Sequence, residues 1–342
     1  MIVLRVRNVH EALPVGVKLL WQVGDRRKSR AGEVVVAPEP VTTVYDQPLE
    51  RVIFHEKRDA NPFFHLMESL WMLGGREDVE FVSRYVKRMK TFSDDGEIFN
   101  GAYGSRWRWR FDYDQIQVII DKLRKDPNDR RVVLGIWDSW IDLKYEGKDT
   151  PCNTHIYFSI TADDRLDMTV CNRSNDIVWG AYGANAVHLS VLHEYMSEQI
   201  GVKIGRYRQI SNNYHAYVDV LEKQAHPAVN VFKGTPYEKE DYTHFPLGSG
   251  NPQWDLDLQN FFKWAMDNPS PREWATPFFE QVIQPMEMSH KFYKAKNFNE
   301  AMYWASTIKA LDWRQACTEW LRRRQEAYNR VKDDGVEYGT GK

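Results

Sequence analysis

The sequence has few cysteines, no long apolar run and almost no net charge, and each shortage excludes a class of protein. Its 3 cysteines, Cys152, Cys171 and Cys317, lie far apart and form no CxxC pair. That spacing excludes a disulfide framework, argues against structural zinc, and predicts free thiols in a reducing cytoplasm. The longest apolar runs, such as residues 132–137, are far shorter than the ~18 residues that span a membrane, and no secretory signal is expected.

The charges of the chain nearly cancel. Lysine and arginine together number 46, and aspartate and glutamate number 48, which gives a formal net charge of −2. This balance lacks the basic excess that is typical of a dedicated nucleic-acid-binding protein. Hydrophobic residues make up 42% of the chain, so a disordered protein is excluded and a large core is expected. The sequence therefore predicts a soluble, cytoplasmic enzyme with no membrane, nucleic-acid or metal partner.

Short β-type runs alternate with amphipathic helices up to about residue 224. β-branched content and partial alternation predict strands over 131–137, 154–160 and 166–171, with a hairpin turn between the last two. Apolar residues spaced three to four apart predict helices over 61–73, 79–89, 115–124 and 186–199. Proline, glycine and aspartate punctuate residues 229–251, which predicts an irregular connector.

The rest of the chain is predicted to be almost wholly helical. Its large aromatic residues recur on helical faces, and packing against neighbouring helices is favoured over stacking on nucleic-acid bases: Trp254, Phe261, Phe262, Trp264, Trp304, Trp313 and Trp320. The triplet Arg322-Arg323-Arg324 is predicted to lie on a solvated helix face. The chain is thus divided into a first domain over 1–228, a connector over 229–251 and a helical C-terminal extension over 252–342 that packs on the first domain.

Cys152 lies in a turn that leads into a predicted strand, after the polar loop 146–150. A loop cysteine on a rigid strand can serve as a nucleophile, whereas an inert, partly buried thiol is the alternative. Arg173 follows the paired strand, so the hairpin brings it back near Cys152. A guanidinium group there would lower the pKa of the thiol and could also bind a phosphate group.

Six segments, in order and at comparable spacings, resemble the thymidylate synthase and pyrimidine-nucleotide hydroxymethylase superfamily over roughly residues 25–225. They are Glu68-Ser69-Leu70-Trp71, Tyr103-Gly104 with Trp107, Asp129-Arg130-Arg131-Val132-Val133, Pro151-Cys152, Asn172-Arg173-Ser174-Asn175-Asp176 and His215-Ala216-Tyr217. The resemblance implies a thymidylate synthase-like α+β fold, in which helices flank a curved mixed sheet and the helical C-terminal extension is this chain's own addition. It also implies a homodimer with shared active sites.

In this superfamily a cysteine thiolate adds to C6 of a pyrimidine nucleoside monophosphate, and C5 then attacks the methylene group of 5,10-methylenetetrahydrofolate. The resemblance implies that Cys152 is the nucleophile. It also implies that Glu68 organises water and proton transfer at the O4 or N4 edge of the base, and that Tyr103 assists loss of the C5 proton.

Further residues are implied to hold the nucleotide and the folate. Arg173 and Ser174 would bind the phosphate from one subunit, and Arg130 and Arg131 would bind it from the other. The best candidate for a mobile-loop arginine is Arg30, with Arg26, Arg27 and Lys28 as competitors. His215 and Tyr217 are implied to bind the sugar. Asp176 is implied to contact both nucleotide and folate, and Trp179 and Gly180 to contact the folate.

The residue that reads the base depends on one insertion. The family places an asparagine for uracil, or an aspartate for cytosine, shortly after the glycine that follows the Arg-Ser motif. Counting from Gly180 without a gap reaches Ala184, which cannot read a base, and one inserted residue reaches Asn185. An amide can accept from N3–H of uracil and donate to O4, so Asn185 predicts dUMP, with dCMP as the alternative.

Two fates are open once the methylene group is on C5: hydride transfer gives methyl, and water addition gives hydroxymethyl. Reductive methylation is implied to need a water-excluding closure, with a tryptophan in the loop before the tyrosine and an apolar C-terminal tail. This sequence has no tryptophan over 91–98, a polar segment over 335–342, and Asn153 where the family has histidine. Hydroxymethylation is therefore favoured, and a thymidylate synthase is the alternative. Another class, an inactive nucleotide- or RNA-binding subunit, is opposed by the joint presence of Cys152, Glu68 and Tyr103.

Overall fold

The computed structural model describes residues 1–224 and 235–333, and within them ten strands form two mixed sheets. The larger sheet has the strand order β1-β4-β9-β7-β6-β5, and the smaller sheet has the order β2-β3-β10-β8. The strands are β1 Ile2–Val6, β2 Asp25–Ser29, β3 Gly32–Val36, β4 Val41–Tyr45, β5 Val133–Gly135, β6 Asn153–Ile160, β7 Arg165–Asn172, β8 Asn175–Asp176, β9 Lys203–Ser211 and β10 Tyr214–Tyr217.

The helices surround these sheets and fill the C-terminal part of the chain. They are α1 Val9–Val23, α2 Pro62–Leu73, α3 Val79–Ser83, α4 Tyr103–Arg108, α5 Gln115–Lys125, α6 Asn185–Ile200, α7 Val218–Gln224, α8 Gln253–Met266, α9 Gln284–Lys294, α10 Phe298–Thr307 and α11 Leu311–Asp333. None of those in the described ranges combines the length and apolar character that crossing a membrane requires. Together the mixed sheets and flanking helices confirm the predicted α+β class.

The hairpin β6–β7 is the central feature of the larger sheet. Alternate residues of both strands are buried, as a strand with one face against a core requires. The strands pair antiparallel from Ile160↔Leu166 to Asn153↔Asn172. This register brings the residues before β6 and after β7 to the same edge of the sheet. The opposite face of the sheet exposes large side chains, among them Val133 and Tyr157.

Helix α2 is buried on nearly every side, and its sequence explains where it begins. The side chain of Asn61 accepts a hydrogen bond from the Phe64 N–H (3.2 Å), and Pro62 occupies the first helical position. Phe63 and Leu70 are fully buried, and each contributes ~1.5–3 kcal/mol to folding. Glu68 therefore lies on a helix that the packing of its buried side chains holds in place.

Two elements are shorter than the sequence predicts. The helix expected over 79–89 ends at Ser83, because the backbone at Val86 is extended before a short turn of 3₁₀ helix over Lys87–Thr91. The strand expected over 131–137 is shortened to Val133–Gly135. Its start is delayed because the carboxylate of Asp129 binds both the N–H and the guanidinium group of Arg131. The spacing of apolar residues predicts neither the extended backbone at Val86 nor the hydrogen bonds between Asp129 and Arg131.

The C-terminal helices pack on α2 and on one another through aromatic side chains. The Trp320 ring lies edge-on to Phe63, with centroids 5.6 Å apart, and Trp254 packs on Tyr195 of α6 at 5.4 Å. These contacts confirm helix packing as the role of the C-terminal aromatic residues. The prediction for the arginine triplet is wrong for two members, because Arg323 and Arg324 both bind Asp59. The domain boundaries remain predictions, and residues 229–234 and 335–342 lie outside the described residues.

Candidate active site

Cys152 directly precedes β6, and Arg173 directly follows β7, so the hairpin places them side by side. The Arg173 N–H donates a hydrogen bond to the Cys152 carbonyl oxygen (2.9 Å). The Arg173 guanidinium group donates to the carbonyls of Pro151 (2.9 Å) and Thr150 (3.1 Å). It also lies 5.7 Å from the centre of the Trp137 ring. Arg173 therefore organises the loop that carries the thiol, while its outer face stays exposed.

The pKa of the Cys152 thiol is raised, which is opposite to the predicted direction. Burial is the largest cause, and the nearby carboxylates of Asp149 and Asp176 raise it further. Arg173 does lower the pKa, as the hairpin predicts, but its effect is smaller than that of burial. The thiol is therefore mostly protonated at neutral pH. Burial is a property of the tertiary fold, and the sequence around Cys152 does not reveal it.

Tyr103 contacts the cysteine segment through its hydroxyl oxygen. This oxygen accepts hydrogen bonds from the N–H groups of Cys152 (3.2 Å) and Asn153 (3.3 Å). Burial raises the pKa of Tyr103, so it is a neutral phenol. The following residue must be glycine, because a Cβ atom at Gly104 would lie 2.3 Å from the Met72 carbonyl oxygen. Gly104 thus lets α4 approach α2 closely enough to place Tyr103 at the thiol.

Glu68 is only 7% exposed, and a histidine that the sequence did not single out lies beside it. Its Oε2 atom is 3.0 Å from Nε2 of His188, on α6. The ring of His65 lies edge-on to His188, with centroids 6.2 Å apart. Burial lowers the pKa of His65 well below its ordinary value, so that ring is neutral. No motif links positions so far apart in sequence, which is why His188 was missed.

The smaller sheet brings the predicted sugar and loop residues together. His215 is paired with Asp176 on one side and with Val36 on the other. The rings of His215 and Tyr217 are edge-on at 5.9 Å. Arg30 is exposed in the β2–β3 hairpin turn, and its charge lowers the pKa of Tyr217, although burial raises that pKa more. Arg30 therefore lies near enough to Tyr217 for its charge to act on that hydroxyl group.

Asp176 begins a segment of π-helix over Ile177–Ala184. Its Oδ1 atom accepts hydrogen bonds from the N–H groups of Val178 (2.8 Å) and Trp179 (2.7 Å). Its Oδ2 atom is buried and has no hydrogen-bond partner among the described residues. Burial raises the pKa of this carboxyl group. Asp176 thus keeps one acceptor available for a ligand.

Trp179 is 49% exposed, and a second residue that the sequence missed lies against its ring. The guanidinium carbon of Arg58 is 4.4 Å from the ring centroid, and Arg58 Nε donates to the Val178 carbonyl oxygen (2.7 Å). Arg58 is itself buried. The contact joins positions that are about 120 residues apart in the chain, and local sequence gives no sign of it.

Asn185 follows a kink at the end of the π-helical segment, where Tyr182 and Gly183 have a non-helical backbone. Helix α6 begins at Asn185, and the one-residue insertion that singles out Asn185 stays a prediction. Asn185 is buried, and its Nδ2 atom donates to Oδ1 of Asn175 (3.2 Å). A Cβ atom at Gly180 would lie 2.8 Å from that same Asn175 oxygen. Glycine is therefore needed where the two amides meet.

A buried polar network fixes the orientation of the Asn175 amide. Its Nδ2 group donates to Oε1 of Gln209 (2.5 Å) and to Oγ of Ser211 (3.0 Å). Gln209 in turn donates to the hydroxyl of Tyr207 (2.7 Å). Because both donors of Asn175 are used, its oxygen must face Asn185.

Three predicted phosphate ligands make no hydrogen bond or ion pair with residues 150–153 among the described residues. The guanidinium group of Arg131 binds Asp129 in the same chain, with N–O distances of 2.9 and 3.0 Å. Arg130 is exposed, and Ser174 is half-buried beside Arg173. The site of one chain thus draws on Arg173, but not on the arginine pair.

Asn153 and the loop over 91–98, which differ from the family pattern, both lie close to Cys152 in the chain or are bonded to the segment before it. The Asn153 side chain is fully buried, and neither its Oδ1 nor its Nδ2 atom has a partner in the part of the chain that the structure describes. Asp94 accepts hydrogen bonds from the hydroxyl of Tyr145 (2.7 Å) and the N–H of Lys148 (2.9 Å). The loop is therefore tied to the segment that leads to Cys152.

These features define an α+β protein in which a thiol, a tyrosine hydroxyl and an arginine meet at the edge of a mixed sheet, with a carboxylate on the adjoining helix. Residues 18–233 match the family model described as thymidylate synthase, and the chain belongs to that family. The resemblance found in the sequence is confirmed.

Several phage proteins are similar to this chain. The deoxyuridylate hydroxymethyltransferase of Pseudomonas phage M6 is 49% identical, over 98% of this chain and 99% of that protein. The proteins of the same name from Bacillus phage SP01 and Delftia phage PhiW-14 are 39% and 32% identical. Those two matches cover 55% and 50% of this chain, and 52% and 50% of the respective relatives.

Proposed function

We propose that the protein transfers a one-carbon unit from 5,10-methylenetetrahydrofolate to C5 of dUMP, where addition of water turns it into a hydroxymethyl group. The observation that carries this proposal is the similarity to the M6 deoxyuridylate hydroxymethyltransferase over nearly the full length of both chains. The arrangement of Cys152, Tyr103 and Arg173 supports it, because it joins a nucleophile, a proton-transfer group and a cation at one edge of the sheet.

Covalent catalysis begins at Cys152. Its thiolate adds to C6 of the base, which makes C5 nucleophilic enough to take up the methylene group. Glu68, whose Oε2 atom lies 3.0 Å from His188 Nε2, is suited to moving protons at the O4 edge, and Tyr103 to assisting loss of the C5 proton. With the C5 proton lost, tetrahydrofolate would leave from the methylene carbon, and water would add to that carbon. Elimination of Cys152 from C6 would then release the product and restore the thiol.

Water addition at the methylene carbon distinguishes this reaction from reductive methylation. The fully buried amide of Asn153 offers one donor and one acceptor next to the nucleophile, which suits a positioned water molecule. The loop over 91–98 contributes no tryptophan to exclude that water. Both features favour the hydroxymethyl product over dTMP.

The folate is bound, in this proposal, at the π-helical segment. The exposed face of Trp179 suits stacking of a planar ring, and the free Oδ2 atom of Asp176 suits a donor on that ring. Gly180 leaves room beside them. When bound, the folate supplies the methylene carbon, and these residues orient it toward the nucleotide.

A second copy of the chain completes the phosphate site. Arg130 and Arg131 are exposed, and in the described part of the chain neither has a hydrogen bond or ion pair near Cys152, which supports their donation to the other subunit. The exposed sheet face around Val133 and Tyr157 is the surface on which such a homodimer would form. Arg173, Ser174, Arg30, His215 and Tyr217 would hold phosphate and sugar. Free cysteines at 152, 171 and 317 suit a reducing cytoplasm.

The test is a mass measurement of the product. The protein is incubated with methylenetetrahydrofolate and with dUMP, dCMP, UMP or CMP in separate reactions. We expect dUMP to gain the mass of formaldehyde. A gain of one methylene group, with dihydrofolate formed, would identify a thymidylate synthase, and unchanged nucleotides would refute an enzymatic role.

A further inference from the structure

Neither the family match, which ends at residue 233, nor the chemistry proposed above gives a task to the C-terminal helices. The long helix α11 nevertheless reaches the site through three successive contacts. We propose that Arg323 and Arg324 of α11 are positioning residues for the folate subsite: they hold Asp59, and thereby fix Arg58 behind the ring of Trp179. The inference rests on the proposed function, because that function places the folate at Trp179.

The first contact is a double ion pair. Arg324 Nη2 and Nη1 lie 2.5 and 3.1 Å from the two carboxylate oxygens of Asp59, and Arg323 Nη2 lies 3.2 Å from Oδ1. The Arg324 guanidinium group also stacks at 4.3 Å on Trp320, which packs on Phe63 of α2. Because two arginines bind one carboxylate, and Arg324 binds both of its oxygens, they fix the position and the orientation of the Asp59 side chain.

The second contact is the backbone turn at Asp59. Its φ of 46° lies in the left-handed region, and its N–H donates to the carbonyls of His55 (3.1 Å) and Glu56 (3.0 Å). These bonds close the short turn over Glu56–Arg58. Because Asp59 ends that turn, fixing its side chain also fixes the backbone of Arg58.

The third contact is made by Arg58 itself. Its guanidinium group lies on one face of the Trp179 ring at 4.4 Å, and its Nε binds the Val178 carbonyl oxygen. Burial lowers the pKa of Arg58 to about 10, while Asp176 and Asp59 favour its charged form. Arg58 therefore remains a cation at neutral pH and supports the ring from behind. The other face of Trp179 is left for a ligand.

The experiment separates the charge of Asp59 from its backbone. Asp59→Asn suits the same left-handed conformation but carries no charge. The double variant Arg323→Met with Arg324→Met removes the partners. Arg322→Met is the matched control, because Arg322 is exposed on the same helix, and Asp112→Asn controls for a left-handed aspartate in an exposed turn.

We expect Asp59→Asn and the double arginine variant each to raise the KM for methylenetetrahydrofolate about tenfold. Affinity for dUMP, and kcat at saturating folate, should stay within about twofold of wild type. Combining the changes should raise the KM no further, since all of them break the same linkage. Both control variants should match wild type.

A chemical readout of the ring makes the test independent of turnover. Oxidation of Trp179 by N-bromosuccinimide, followed by peptide mass spectrometry, should be several-fold faster in Asp59→Asn, with the highly exposed Trp140 as internal reference. An active Asp59→Asn protein with unchanged folate KM, or unchanged Trp179 oxidation, refutes the inference. Equal losses of dUMP and folate affinity also refute it. Failure of the wild-type protein to react with folate refutes the proposed function instead.

Discussion

Replacement of Asn185 by aspartate is expected to move base preference from dUMP toward dCMP. The Asn185 Nδ2 group donates to Asn175 Oδ1 at 3.2 Å, and Gln209 and Ser211 hold that oxygen in place. Asn185 cannot turn over without setting two oxygens against each other. Its own oxygen is therefore kept for the N3–H of uracil, and its second N–H for O4.

Cytosine presents the opposite pattern, an acceptor at N3 and a donor at N4. Each buried mismatch costs ~1–3 kcal/mol, which is about tenfold to a hundredfold in kcat/KM. In Asn185→Asp the new carboxyl group is buried, and burial favours its protonated form. It can then donate to Asn175 and accept from the cytosine amino group. We expect the ratio of kcat/KM for dUMP over dCMP to fall by about one to two powers of ten.

Steady-state kinetics of both proteins on both nucleotides measures this ratio. Asn175→Ala is the informative companion, because it frees the Asn185 amide to turn over. It should weaken the preference for uracil without reversing it. A wild-type protein that prefers dCMP, or an Asn185→Asp ratio equal to that of wild type, would remove Asn185 from base reading.

Three other perturbations test separate parts of the molecule. Cys152→Ser should abolish tritium release from C5 of the base while dUMP still binds, and normal release would exclude Cys152 as nucleophile. Mixing inactive Arg130→Ala and Cys152→Ser chains should restore activity, because one mixed site carries neither change; failure in proven mixed dimers would place both residues in one site. Burial opposes ionisation of Glu194, but Arg51 and His244 outweigh it and lower its pKa to about 2. This stabilisation is present above the unfolded pKa and is lost as pH falls toward about 2, so Glu194→Gln should lose up to about 3 kcal/mol at neutral pH in urea unfolding. An equal difference from wild type at both ends of the pH range would contradict the linkage.

Local pattern was sufficient for those parts of the site that lie on one hairpin. Alternation in two runs and the turn between them predict that Arg173 returns to Cys152, and the structure has that contact. Arg58 and His188 could not be found in this way. Each contacts a partner about 120 residues away in the chain, Arg58 from a short 3₁₀ turn and His188 from the buried helix α6. The insertion before Asn185 rests on a residue count alone, whereas the kink at Tyr182 and Gly183 just before it is set by the tertiary fold.

The thiol shows most clearly how tertiary burial changes a motif. Sequence neighbours of Cys152 predict activation by Arg173, yet burial with Asp149 and Asp176 leaves the thiol protonated in the free protein. The Nε and Nη2 atoms of Arg173 donate to the carbonyls of Pro151 and Thr150, so the position of its guanidinium group is fixed before any ligand arrives. In the proposed dimer, the exposed arginines at 130 and 131 of a second subunit add positive charge beside the thiol. Nucleophile activation and assembly with a second subunit then become one requirement.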